Sequence, residues 1–201
     1  MSRCSLLLAR FQTVKCIENI VFTDESPFYL NHTSNEHIYY SQNFDPEQCL
    51  QETEKFPKSV MIFGAVSMNM KFSLIFCEKG EKINANYYQK EILEKLIDEC
   101  DNYFGCGNWI LQQDSAPSHS AKSTQEYLLS KVQFISPLEW PSNSPDLNPL
   151  DYFVWGYMKR KIEKLSLNSI DELKDAILKL WENLPQKHIK ESILSWRKRL
   201  Q

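Results

Sequence analysis

The spacing of apolar residues divides the chain into short strands and amphipathic helices. Leu6, Leu7, Leu8 and Phe11 predict a short helix over residues 3–13. The run Asn19-Ile20-Val21-Phe22-Thr23 opens a first strand that continues beyond Asp24 through Phe28, Tyr29 and Leu30. Further strands are predicted at 37–41, 60–67 and 72–77, where β-branched and aromatic residues concentrate. Asn69, Met70 and Lys71 supply a tight turn between the last two. Tyr88, Ile92, Leu93, Leu96, Ile97 and Cys100 recur at three- and four-residue spacing, which predicts a helix over 86–103 with one buried face. Asn84 or Asn86 can cap its start, and Gly105 and Gly107 end it. Residues 109–113 read as a buried strand, 119–130 as a helix and 132–136 as another strand.

Prolines at 137, 141, 145 and 149 make the next stretch an ordered, extended loop, because proline fixes its own φ and cannot donate to a ladder. A helix then opens with Asn148 at the cap, Pro149 at the first helical position and Asp151 in the first turn. The helix dipole at that position is expected to depress the Asp151 pKa. Ser169-Ile170-Asp171-Glu172 is a capping box for a further helix, with Leu173, Ala176, Ile177, Leu180 and Trp181 on its apolar face. Pro185 separates it from a last helix bearing Ile189, Ile193, Trp196 and Leu200. Strands alternating with helices predict a mixed α/β sheet covered by helices.

Length and charge add limits. At 201 residues the chain suits one domain of ordinary size. The net charge of −3 does not by itself suggest a nucleic-acid binder. Its distribution says more: from Trp155 to Gln201 there are eleven Lys/Arg and six Asp/Glu, a net of +5 that leaves −8 for Met1 to Val154. Basic helices beside an acidic section suit phosphate contact at one end and metal binding at the other, although Lys-rich wet faces are also ordinary. Cys4, Cys16, Cys49, Cys77, Cys100 and Cys106 form no C-x-x-C pair and no zinc-finger spacing with His, so reduced thiols of an intracellular protein are expected. No apolar run is long enough to span a membrane, and none resembles a signal-peptide core.

Three aspartates concentrate the candidate chemistry. Asp24 and Asp114 close β-like segments, and Asp151 opens a helix. Carboxylates brought to one end of a sheet can hold Mg²⁺ or Mn²⁺, which prefer hard oxygen ligands. Each also has an ordinary alternative. Asp24 before Glu25-Ser26-Pro27 can begin a turn, Asp114 can cap the next helix, and Asp151 can be a favourable first-turn charge. Adjacent strand residues face opposite sides, so only one of Asp24 and Glu25 can join a given site. His119 can orient a water, contact a phosphate, cap or pack. Lys159, Arg160, Lys161 and Lys164 form a basic run that is either a DNA contact or a solvated face. Trp140 and Trp155 are expected to pack, and Asp146 to hold its loop by turn hydrogen bonds.

The frames around these aspartates resemble the catalytic domain of mariner-like transposases, in the DDE/DDD superfamily. The matching stretches are Thr23-Asp24-Glu25, Gln113-Asp114-Ser115-Ala116-Pro117-Ser118-His119, and Trp140 through Asp151 with Trp155-Gly156. Ser59 to Ser67 resembles a family strand, with Phe63 in place of the usual Trp. The resemblance implies an RNase H-like fold with a roughly five-stranded mixed sheet. It implies two Mg²⁺ or Mn²⁺ ions held by Asp24, Asp114 and Asp151, and no small-molecule cofactor. It further implies hydrolysis of a DNA phosphodiester followed by attack of the freed 3′-hydroxyl on target DNA. DNA is the implied partner, with His119, Lys159, Arg160 and Lys161 as candidate contacts. A homodimer and a nuclear location are also in keeping with it.

Mariner-like transposases carry paired helix-turn-helix modules ahead of the catalytic domain. Only twenty-three residues precede Asp24. The expectation is therefore a catalytic domain over 19–201, with residues 1–18 a remnant of a linker to a missing DNA-binding region. The alternative functions are a catalytically silent transposon-derived binding or interaction domain, and a structure-selective nuclease that acts without end recognition.

Overall fold

A computed structural model of the protein describes residues 2–30, 58–77 and 83–201. The strand predicted at 37–41 and Cys49 lie outside the described residues. Among these residues five strands form one mixed sheet in the order β3-β2-β1-β4-β5. They are β1 Ile20–Tyr29, β2 Ser59–Val66, β3 Ile75–Cys77, β4 Ile110–Gln112 and β5 Gln133–Phe134. β1 lies at the centre, antiparallel to β2 and parallel to β4. β3 adds antiparallel to β2, and β5 parallel to β4.

Alternation along β1 and β2 divides the core into two layers. Ile20, Phe22, Phe28, Val60, Ile62 and Val66 face one side. There they meet the N-terminal helix Arg3–Arg10, the helical stretch 150–162 and the C-terminal helices Ile170–Asn183, Gln186–Leu194 and Trp196–Arg199. Val21, Phe63 and Ala65 face the other, against the helical stretch 85–104 and the helix Lys122–Lys131. Leu7, Phe11 and Ile17 are buried in the first layer. Trp196 is fully buried and sets its ring edge-to-face against Phe11 at 5.8 Å and Phe22 at 5.6 Å. Each such aromatic pair adds about 0.5–1.5 kcal/mol beyond its buried area. The two ends of the chain are thereby held against the central strand.

Several elements differ from the sequence expectation. The strand expected at 72–77 forms only at Ile75–Cys77, because Phe72 turns into the second core layer and its N–H bonds back to the Ala65 carbonyl. The helix expected from 119 begins earlier as Pro117–Ser120, breaks at Ala121 and resumes as Lys122–Lys131. Both long helical stretches contain π-helical turns, Tyr88–Leu93 and Leu150–Trp155. The capping box is present in altered form: Ser169 Oγ accepts from Glu172 N–H, but the Glu172 carboxylate accepts from Asn168 N–H. The five described cysteines are all free. No helix among the described residues is long and apolar enough to cross a membrane.

Gly64 stands opposite Asp24 in the β1–β2 ladder. A Cβ built there would lie 2.6 Å from Trp155 Cη2. Glycine at this position lets the Trp155 ring settle onto the sheet. Replacing a mid-strand glycine by alanine ordinarily stabilises by about 0.5–1 kcal/mol. Here the rigid indole must move, and overpacking of that kind costs about 1–3 kcal/mol. Gly64→Ala is expected to lower the melting temperature in a calorimetric scan.

Candidate active site

Parallel pairing of β1 with β4 ends at Phe22 opposite Gln112. Two residues further along each chain stand Asp24 and Asp114, at the point where the strands part. The helical stretch carrying Asp151 packs against this end of β1. Three buried hydrogen bonds tie the segments together around Thr23. Its Oγ1 donates to the Gln112 carbonyl at 2.8 Å, and its own carbonyl accepts from Asn148 Nδ2 at 2.9 Å. Asn148 Oδ1 accepts the Leu150 N–H at 3.1 Å, which is the helix cap expected from the sequence. The strand before Asp114 and the cap before Asp151 are thus both attached to the residue before Asp24.

Asp24 and Asp151 lie near enough for each to act on the other's titration. Burial and the Asp151 charge push the Asp24 carboxyl well above the ordinary carboxylate range. Trp155 Nε1–H donates to Asp24 Oδ2 at 2.6 Å and partly offsets that shift. The Asp151 pKa is also raised, by burial on one side and by the Asp114 charge. The expected depression of Asp151 by the helix dipole is therefore corrected. A helix terminus contributes a partial charge, and burial, aided by the Asp114 charge, outweighs it. Trp155 packs as expected and also serves as a hydrogen-bond donor to the site.

Asp114 is held differently. Its Oδ1 accepts from Ala116 N–H at 2.9 Å and meets His119 Nδ1 at 2.6 Å. His119 Nε2 reaches Glu25 Oε1 at 3.1 Å, so the ring bridges two carboxylates. Strand alternation places Glu25 on the face opposite Asp24. Burial alone would lower the His119 pKa, but hydrogen bonds to Asp114 and Glu25 outweigh it and lift the ring to about 9. Burial likewise pushes Asp114 up, but the bonds from His119 and Ala116 bring it below the ordinary value. The His119 ring lies 4.2 Å from that of Tyr88, whose hydroxyl donates to Gln113 Oε1. With its side chain 3 % exposed, His119 faces carboxylates and not solvent, which does not suit the DNA contact expected of it.

Asp24, Asp114 and Asp151 open onto one cavity of about 400 Å³, floored by Gln112 and rimmed by Trp140 to Pro145. Within the rim Asn143 has a positive φ of 52°. The N-terminal helix holds this loop. Arg3 Nη1 donates to the Trp140 carbonyl and Ser142 Oγ, and Arg10 makes two bonds to the Glu139 carboxylate at 2.8 and 3.0 Å. Lys159 lies half-buried one helical stretch beyond Asp151. Burial lowers its pKa, and the charges of Asp24 and Asp151 work against that. Arg160 and Lys161 are exposed.

Among the described residues no three Asp, Glu, His or Cys side chains are already drawn closely enough to grip an ion. Asp24 lies beside the Asp151 charge, and Asp114 is turned toward His119. The donor types nonetheless fit a hard divalent cation. Three carboxylates share one solvent-open cavity, and burial beside a like charge raises the affinity of Asp24 for a proton that a cation can replace. The bonds that hold Asp114 fall on Oδ1.

Sheet order and flanking helices define an RNase H-like fold. Residues 19–174 match the DDE superfamily endonucleases, so the chain belongs to that family, as a mariner-like transposase catalytic domain. It is 29% identical over 184 residues to the Tc3 transposase of Caenorhabditis elegans, covering 90% of this chain and 54% of that protein. The chain thus spans about half the length of this relative. The Mos1 transposase paired-end complex with left transposon end superposes with a TM-score of 0.83 at 21% identity, over 98% of this chain and 58% of that one. The mariner Mos1 paired end complex with Mg gives a TM-score of 0.82 at 20% identity, with the same coverage. These two share the fold.

The raised carboxylates set a pH dependence. A group whose folded pKa is raised contributes stability that is complete below its unfolded value and is lost as pH rises through its folded value. For Asp24 and Asp151 that loss begins above 3.8 and extends toward their raised values. His119 acts in the same direction between 6.5 and about 9. In EDTA the melting temperature is expected to fall steadily from about pH 4 to pH 9. Asp24→Asn should flatten the lower part of that fall and raise the melting temperature at pH 8. A slope unchanged by Asp24→Asn would exclude the paired carboxylates as its source.

Proposed function

We propose that this domain cleaves DNA strands and transfers their ends, using divalent metal held by Asp24, Asp114 and Asp151. The observation that carries the reading is the convergence of the three aspartates on one cavity, with their segments joined through Thr23. Membership of the endonuclease family supports it, as do Mos1 complexes containing transposon ends and Mg. Asp24 would release a proton on binding the cation, and Asp114 and Asp151 would complete the set. Bound metal would activate the attacking hydroxyl and steady the leaving oxygen during in-line displacement. His119 keeps the Asp114 carboxylate charged and fixes its orientation, and Glu25 neutralises the ring from the opposite side. The polar rim Ser142-Asn143-Ser144 and the half-buried Lys159 lie where a phosphate backbone would enter, with Arg160 and Lys161 extending the basic path. DNA as substrate, a homodimer and a nuclear location go with this reading.

Two measurements test it. Mg²⁺ or Mn²⁺ at millimolar concentration should raise the melting temperature over that in EDTA, because metal binds the native state alone. The purified chain should nick supercoiled DNA with either metal and lose that activity in Asp114→Ala. A folded protein that responds to metal but leaves DNA intact would favour the silent binding domain.

DNA affinity should fall steeply with salt, as expected when phosphates supply the contacts. Charge reversal at Lys159, Arg160 and Lys161 should weaken binding to two unrelated duplexes equally in an anisotropy titration. A preference for one duplex on the order of a hundredfold would contradict this, because it would require base-edge readout.

A further inference from the structure

Gln112 has an unusual environment. The residue is 0% exposed, and neither Nε2 nor Oε1 has a hydrogen-bond partner. Buried side-chain amides are nearly always satisfied, and leaving one unpaired costs about 1–3 kcal/mol. A leucine or methionine would occupy the same volume without that cost. The backbone here is fixed by the Thr23 bond and by pairing opposite Phe22. That register puts the Gln112 side chain on the same sheet face as Asp24, and it lines the cavity that Asp24 shares with Asp114 and Asp151.

We infer that Gln112 is a further ligand-facing residue of the site, its carboxamide oxygen turned to the divalent cation or to a water the cation holds. The inference rests on the aspartate metal site proposed above. An amide oxygen is a neutral hard donor of the kind such cations accept. The adjoining NH₂ donates in the same place, toward a carboxylate or a metal-held water. A site already rich in negative charge gains a ligand from glutamine without a further charge to repel. Both orphaned atoms are satisfied only when the cavity is filled.

The test is calorimetric titration of the full chain with Mn²⁺, with melting curves in EDTA alongside. Wild type should bind, and Asp24→Asn should bind far more weakly. Gln112→Leu should melt in EDTA at or above the wild-type temperature, yet bind Mn²⁺ about tenfold more weakly, as loss of a group supporting a metal site does. Gln112→Glu, which keeps an oxygen in place, should restore binding and show a larger Mn²⁺-induced rise in melting temperature than wild type. Unchanged Mn²⁺ affinity in Gln112→Leu, beside a clear loss in Asp24→Asn, overturns the role of Gln112 and leaves the aspartate site standing. That is the result expected if a lone water or a purely structural role accounts for the amide. Absence of Mn²⁺ binding in wild type overturns both. Should Gln112→Leu not fold, Gln112→Glu decides, and a Mn²⁺-induced rise no larger than that of wild type overturns the inference.

Discussion

Thr23 is the point on which the candidate site depends. One side chain and one carbonyl, both buried, connect it to Gln112 and Asn148. Each bond contributes only about 1 kcal/mol net. Their importance is geometric. Asp24 is the next residue after Thr23, Asp114 is two beyond Gln112, and Asp151 is three beyond Asn148. A strand, its parallel neighbour and a helix start are brought into register by two hydrogen bonds. Removing either partner would leave the other polar group buried and unpaired, which costs more than the bond supplied.

The same arrangement produces electrostatic strain, and the chain distributes it unevenly. Asp24 is buried beside the Asp151 charge with one indole N–H as relief, so in the absence of metal its carboxyl favours a proton. Asp114 receives an internal cation, His119, which Glu25 balances from the other sheet face. One part of the site is therefore ready to exchange a proton for a metal ion, and the other is already a charged carboxylate of fixed orientation. Lys159 adds a positive charge near both Asp24 and Asp151. A cluster of like charges survives in a folded protein only with such compensation.

Much of this was legible in the sequence, for identifiable reasons. Helical spacing located the apolar faces that cover the sheet, and the strand spans carry the alternation that sends Phe22 and Val21, or Ile62 and Phe63, to opposite core layers. The Asn148-Pro149 cap was readable because its chemistry is local. The π-helical turns were not, since apolar spacing does not distinguish a widened turn from an ordinary one. Nor was the rise in the Asp151 pKa, which comes first from burial and then from the Asp114 charge, both set by tertiary packing. The parity rule puts Glu25 on the face opposite Asp24, yet Glu25 still reaches the lining of the shared cavity, because the site lies where the strands part and opens to both faces. The rule could not foretell that His119 would reach across to Glu25, because that contact needs the register of β4 against β1. Gln112 gave a faint signal: a polar residue two positions before Asp114 in an otherwise apolar strand.

The N-terminal helix shows how far support for the site extends. Leu7 and Phe11 seat it in the core beside Trp196, while Arg3 and Arg10 reach over to the loop that rims the cavity. That loop is rich in proline, and Asn143 holds a left-handed conformation within it. Its own hydrogen bonds are few, so its position is set from outside. The Arg10–Glu139 pair is partly exposed and lends little stability as an ion pair. Its value is positional: Glu139 also accepts from the Ser136 N–H and hydroxyl, so the arginine fixes the point where β5 hands over to the loop. A helix that carries none of the three aspartates thereby determines the shape of the cavity mouth they share.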